Sequence, residues 1–170
     1  METGEALMLQ FRSGDRAGFE ELYARYRAPL YGFFRRRLDR PARAEELSQE
    51  TFLAVIQGAD RYEPRATFRT YLYATALKLL AGERRKLRRD PPPVEEETRA
   101  GFPEESLWVR EALEKLPASD REILMLREYE QLSYAEIAAL LRLPLAAVRS
   151  RLFRSRIALR NQLRPEVQPA

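Results

Sequence analysis

LSYAEIAALLRLPLAAVRSRLFRSR, residues Leu132 to Arg156, decides how the rest of the chain is read. Ser133 suits a helix N-cap, and Glu136 three residues later reaches back to the cap amide, a capping box flanked by Leu132 and Ile137 at staple spacing. The helix so started carries Ile137, Ala138 and Leu141 on one face. Arg142 and Leu143 then break the pattern, and Pro144 offers the fixed φ of a first helical position. Two short helices so close cross steeply, which is the pattern of a helix-turn-helix. In the second helix Leu145, Val148, Leu152, Leu159 and Leu163 recur at helical spacing and are expected to face a core. Arg149, Ser150, Phe153 and Arg154 form the adjacent stripe.

A helix of this kind sets its early residues against base edges in the major groove, where arginine matches the two acceptors of guanine and an apolar ring the methyl of thymine. A solvated arginine face explains the charges alone. It does not explain Phe153, an aromatic ring between arginines at groove-reading positions, and DNA binding is the expectation for this half.

The chain has 170 residues, room for one domain or two small ones, and its 45% apolar content fills cores of that size. Lys and Arg number 30 against 26 Asp and Glu, so the distribution of charge says more than the net +4. Residues 1–90 hold 18 basic and 13 acidic groups, residues 91–106 hold 1 and 5, and residues 107–170 hold 11 and 8. Without cysteine or histidine the chain has no disulfide, no thiolate metal site and none of the commonest catalytic bases, which speaks against hydrolases and metalloenzymes. No catalytic residue, metal or cofactor is expected. Residues 1–30 lack the apolar core of a signal peptide and no run nears the roughly 20 apolar residues of a membrane span, so cytoplasmic residence without membrane insertion is the expectation.

From Ala17 to Leu38 the residues Phe19, Leu22, Tyr23, Tyr26, Leu30 and Phe33 or Phe34 keep helical spacing, with Pro29 expected to kink or divide the segment and Arg35, Arg36 and Arg37 at its end. A turn over Asp39 to Ala42 precedes a helix from Ala44 to Gln57, with Leu47, Phe52, Val55 and Ile56 inward. Glu46, Gln49, Glu50 and Leu53 run along its exposed side, where an apolar Leu53 on a polar face points to a protein contact. Arg61 to Leu80 holds Tyr62, Phe68, Tyr71 and Tyr73, and leads into the cations Arg84, Arg85, Lys86, Arg88 and Arg89. Rings followed by cations suit single-stranded nucleic acid, since bases stack on rings and arginine neutralises phosphates. Aromatics at helical spacing are as commonly core, so Leu72 and Leu79 are assigned inward, and Phe68 and Tyr71 provisionally so.

Residues 91–106, with Pro91 to Pro93, Glu95 to Glu97, Gly101 and Pro103, read as an extended acidic linker that spans up to about 50 Å. A helix then restarts at Ser106 with Val109, Ala112, Leu113 and Leu116 inward, and Pro117 stops it. Ser119 and Glu122 form a second capping box for a helix through Ile123, Leu126 and Tyr129, and Arg164 to Ala170 is a frayed tail. The expected fold is all-α, two small helical domains over residues 1–90 and 107–170, the second a four-helix helix-turn-helix unit.

AEELSQETFL at Ala44 to Leu53, FRTYLYATA at Phe68 to Ala76 and ERRKLRR at Glu83 to Arg89 resemble the second domain of bacterial RNA polymerase sigma factors of the extracytoplasmic-function type, and Leu116 to Arg156 resembles their fourth domain. The resemblance implies a subunit that binds core RNA polymerase and promoter DNA, and an anti-sigma factor that masks it. It implies that Glu46, Gln49, Glu50 and Leu53 dock polymerase. Tyr62, Phe68, Arg69, Tyr71, Lys78, Arg84, Arg85 and Arg88 would hold the melted −10 element, and Arg149, Ser150, Phe153 and Arg154 would read the −35 duplex. Tyr71 stands where the family often has Trp, Lys78 where it has Asn, Gly82 where it has Asp, Arg142 where it has Gly, and Ala146 and Ala147 where it has Gly-Thr. These departures imply an atypical promoter preference. Glu95, Glu96 and Glu97 read equally as a solvated spacer or as an anionic stand-in for nucleic acid within a basic channel. Two other readings stand beside the resemblance: a helix-turn-helix regulator that binds duplex DNA without joining polymerase, and an RNA-modifying or nucleotidyl-transfer enzyme with a helical accessory domain, which lacks the clustered acidic metal site that phosphoryl transfer would need.

Overall fold

The computed structural model describes residues 1–93 and 104–164, the side chains of 104–106 excepted. The chain divides into two compact units, Met1–Glu97 and Thr98–Ala170. Every regular element among the described residues is helical, as the sequence predicts. Pro91 to Pro93 are exposed and without regular structure; the acidic run at Glu95 to Glu97 and the tail beyond Arg164 lie outside the described residues.

The first unit holds α1 (Gly4–Arg12), α2 (Arg16–Arg37), α3 (Pro41–Gln57), a single 3-10 turn (Ala59–Arg61) and α4 (Phe68–Arg89). α1 is a helix beyond those expected from the sequence, and Thr3 caps it by accepting from the Ala6 amide at 3.1 Å. Leu7 and Met8 of α1 are buried against α2 and α4. Close approach of α1 and α2 requires a glycine at position 18, where a Cβ would stand 2.4 Å from the Leu7 carbonyl oxygen. Pro29 does not divide α2. It lies on the solvent side, and Leu22, Leu30, Phe33 and Phe34 hold both halves of the helix in one core. The expected turn over Asp39 to Ala42 is shorter, because Pro41 already occupies the first turn of α3, where its missing N–H costs nothing.

Two inward assignments, Ile56 and Leu79, do not hold. Val55 is buried while Ile56 is exposed beside Leu53 on the outer side of α3, and Leu80 is buried while Leu79 is only half-buried. The buried register of α4 is Leu72, Ala76, Leu80 and Glu83, a helical spacing that Leu79 does not share.

The second unit is the expected set of four helices: α5 (Glu104–Glu114), α6 (Ala118–Glu128), α7 (Tyr134–Leu141) and α8 (Leu145–Leu163), with α5, α6 and α7 all packed on α8. The Ser133 capping box forms as read, Glu136 N donating to Ser133 Oγ at 3.0 Å and Ser133 N to Glu136 Oε1 at 3.3 Å. Leu132 and Ile137 are both fully buried. The second capping box does not form: Pro117 takes the extended cap position, so Ser119 falls inside α6 with no cap bond. Likewise α5 begins at Glu104, two residues before the expected Ser106 cap. Leu145 is exposed rather than inward, and Tyr129 is exposed as well. Tyr129 ends α6, and Leu145 is the first residue of α8, ahead of the turn that Val148 and Leu152 bury. Leu159 and Leu163 are half-buried in an open groove with Leu124 rather than in the core.

Candidate nucleic-acid interfaces

The helix-turn-helix joint bends at Arg142, which adopts left-handed φ 54°, ψ 48° and donates its backbone N–H to the Ala138 carbonyl. Leu143 N also reaches Ala138 O at 3.0 Å. Beyond it α8 fixes its reading face through its opposite side. Ser155 is fully buried, and its hydroxyl is 2.6 Å from the Arg151 carbonyl and 3.4 Å from that of Asp120. Val148 and Leu152 seal the same side. Arg149, Ser150, Phe153 and Arg154 are all exposed, so the structure brings the expected stripe together on the outer face of α8. Phe153 is 70% exposed, a large apolar area left uncovered by its own unit. Arg154 Nη2 meets Asp120 Oδ1 at 3.2 Å, which orients the guanidinium from α6.

In the first unit the structure sorts the aromatic residues. Phe68 and Tyr73 lie in the core, 1% and 2% exposed, Phe68 against Tyr26 and Tyr73 against Phe33. As a base-stacking surface Phe68 is therefore corrected: the first turn of α4 directs it inward. Tyr62 is also buried, edge-on to Tyr71 with ring centroids 5.0 Å apart. Its hydroxyl has no hydrogen-bond partner among the described residues. Tyr62 and the half-buried Tyr71 line an open cleft of about 370 Å³ together with Gly58, Arg61, Glu63 and Arg65. Burial, then the nearby Glu5 carboxylate and Tyr71, push the Tyr62 hydroxyl up to about 12, so both hydroxyls stay protonated near neutral pH. Burial also raises Tyr71, against the opposing pull of Arg61.

The cations of α4 do not share one face. Spacing of seven puts Tyr71, Lys78 and Arg85 in a row about 21 Å long, with Arg88 beside its end. Arg84 is turned about 100° from Arg85, and Arg69 lies on the far side from Tyr71. Lys78, Arg84, Arg85 and Arg88 are exposed and Arg69 is half-buried. Arg61 and Arg65, which the sequence reading did not single out, are the cations nearest the tyrosine cleft. Arg61 ends the 3-10 turn and Arg65 lies in the loop after it, both without periodicity, and only their closeness to Tyr62 in sequence hinted at them.

Glu46, Gln49, Glu50 and Leu53 fall on one exposed side of α3, joined by Ile56, with Leu53 54% exposed. Arg43 on α3 donates to Glu46 and Glu50 at 2.7 and 3.2 Å. Among the described residues no group of three or more acidic side chains could hold a metal ion, and no helix is long and apolar enough to cross a membrane.

The chain thus combines a helix-turn-helix whose second helix has an exposed face of arginine, serine and phenylalanine with, in a separate helical unit, a tyrosine cleft and a row of exposed cations. The Sigma-70 region 2 profile matches residues 22–90, and the Sigma-70 region 4 profile matches residues 106–159. The chain is 27% identical to the RNA polymerase sigma-H factor of Pseudomonas aeruginosa, over 99% of this chain and 98% of that one. It is 28% identical to the ECF RNA polymerase sigma-E factor of Escherichia coli K12, over 98% and 97%. Among solved structures it resembles CnrH in complex with the cytosolic domain of CnrY, with a TM-score of 0.74, 25% identity and coverage of 95% and 97%. The chain belongs to the RNA polymerase sigma factors of the extracytoplasmic-function type. It is a promoter-specificity subunit that binds core polymerase and directs transcription initiation, and the reading as a stand-alone regulator is not favoured.

Proposed function

We propose that the two units divide the promoter between them, residues 107–170 reading the −35 duplex and residues 1–90 docking polymerase and holding the opened −10 element, with residues 91–106 as the tether. The observation that carries this is the outer face of α8, where Arg149, Ser150, Phe153 and Arg154 are exposed together on the second helix of a helix-turn-helix. Arginine to guanine and Phe153 to a thymine methyl are the contacts such a face makes. In the first unit an unpaired base enters the cleft between the half-buried Tyr71 and the exposed Arg61, with the buried Tyr62 ring packed edge-on beneath Tyr71. Lys78, Arg85 and Arg88 follow the strand's phosphates. Glu46, Gln49, Glu50 and Leu53 present a mixed acidic and apolar face to polymerase.

The protein acts by binding and not by catalysis, and works in the cytoplasm. An anti-sigma factor holds it inactive; support comes from the similarly folded sigma factor RpoE, whose structure is recorded in complex with the anti-sigma factor NepR from Bartonella quintana.

Footprinting of reconstituted holoenzyme tests the division. Arg149→Ala and Phe153→Ala are expected to lose −35 protection while a template with a pre-opened −10 bubble still initiates. Lys78→Ala and Arg85→Ala are expected to lower permanganate reactivity of −10 thymines with −35 protection intact. Both pairs acting on the same element would overturn the assignment.

A further inference from the structure

The segment that carries the tyrosine cleft runs from Tyr62 to Phe68, and its two ends are tied to the same helix, which lies outside the span matched by Sigma-70 region 2. Arg12 Nη1 of α1 donates to the Tyr62 carbonyl at 2.9 Å, and the Phe68 amide donates to Glu5 Oε1 of α1 at 2.7 Å. Residues 5 and 12 are seven apart, so they share one face of α1 about 10.5 Å from each other along its axis. Phe68 is the first residue of α4, and its amide is one of those an α-helix leaves without an internal partner. A carboxylate at that position is further favoured by the helix dipole. Gly4 brings the backbone of α1 against Phe68, since a Cβ there would stand 2.7 Å from Phe68 Cβ. Between the two anchors residues 63–67 are exposed, and the segment's local bonds join Arg65 to Glu63 and Thr70 to Thr67.

We propose that α1 is the positioning element of the −10 loop, with Glu5 and Arg12 as positioning residues that set the distance and angle between the Tyr62 and Tyr71 walls of the cleft. This rests on the assignment of the cleft to an unpaired −10 base. A site that reads a base by shape needs its walls held to a fraction of an ångström, and a loop this short has few bonds of its own to do so. Glu5 and Arg12 touch no DNA in this account. They act through the backbone at Tyr62 and Phe68.

The test uses full-length chain with core polymerase, on a promoter that the wild-type holoenzyme selects from a pool randomised across the −10 element. Discrimination is read as the ratio of open complexes on the selected sequence to those on its single-base variants. Glu5→Ala and Arg12→Ala are expected to lower that ratio about tenfold, the size of one lost base contact. Glu5→Gln, which keeps an acceptor oxygen, and Arg12→Lys, which keeps a donor, recover part of it. Arg61→Ala and Arg65→Ala in the cleft are run alongside. Loss of discrimination in these two with none in the four α1 variants overturns the role of α1 alone. Unchanged discrimination in all six overturns the cleft assignment as well. A lower Tm in the α1 variants with the ratio intact assigns Glu5 and Arg12 to stability only and also refutes the proposal; should Glu5→Ala fail to fold, Glu5→Gln and Arg12→Lys decide.

Discussion

Arg43 on α3 and Glu83 on α4 meet at 2.7 Å, and the same guanidinium reaches Glu46 and Glu50 on the proposed polymerase face. One side chain thus joins the docking helix to the helix that carries the cation row. Glu83 is 9% exposed and Arg43 24%, so the pair is only partly shielded by solvent.

Arg43→Ala is expected to destabilise the first unit by about 2 kcal/mol, the contribution of a hydrogen bond to a charged group, because it leaves the Glu83 carboxylate buried without its main partner. The hydrogen bond from Arg43 holds Glu83 below the ordinary 4.5 in spite of burial. A depressed carboxylate contributes stability that is complete above its unfolded value and is lost as pH falls through its folded one. Urea unfolding from pH about 7 down to about 3 should therefore show a shallower acid loss in Glu83→Gln than in wild type. Parallel acid limbs would remove Glu83 from the account.

Arg142 is strained where a glycine would not be. Its φ of 54° lies in the left-handed region, which disfavours a side chain with a Cβ by about 1–2 kcal/mol. Arg142→Gly is expected to raise the stability of the second unit by about 1 kcal/mol in urea unfolding, less the greater freedom glycine has when unfolded. Arg142→Ala keeps the strain and is expected to give no gain; equal effects from the two would show that the arginine side chain, not the backbone, governs the turn.

Gly18→Ala tests the seat of α1. With the Leu7 carbonyl 2.4 Å from the added Cβ, the helices must separate, and overpacking of this kind costs about 1–3 kcal/mol. Faster hydrogen exchange of α1 amides with α3 unaffected is the expected result. Uniform protection across both helices would mean that α2 yields instead.

The helix-turn-helix was legible in the sequence because its signals are local: a capping box at Ser133 and Glu136, a staple at Leu132 and Ile137, and charge on the face opposite Val148 and Leu152. The tyrosine cleft was only half legible. Tyr62, Phe68 and Tyr71 are alike in composition, and which ring is sealed depends on α1 and α2 packing over α4, a contact far apart in the chain. The same holds for Glu5 and Arg12, whose partners are 63 and 50 residues away. Helix boundaries moved where proline set them, at Pro41 and Pro117, and where buried register overruled a hydrophobic neighbour, as at Ile56 and Leu79.

Arg154 and Arg88 should separate sequence reading from phosphate binding. Arg154 is oriented by Asp120, whose side chain is 9% exposed, so under the proposed −35 role it would reach a base edge already aimed. Arg154→Ala is expected to cost about 1–3 kcal/mol of discrimination at one −35 position, whereas Arg88→Ala weakens every promoter alike and lowers the salt slope of binding by about one. Asp120→Asn, which keeps the shape but removes the charge, is expected to fall between wild type and Arg154→Ala at the same −35 position and to leave the salt slope unchanged. The measurement is holoenzyme binding to −35 variants across a salt series. Equal losses on every sequence for Arg154→Ala would place it among the phosphate contacts, and Asp120 would then be an ordinary surface partner with no part in selecting the promoter.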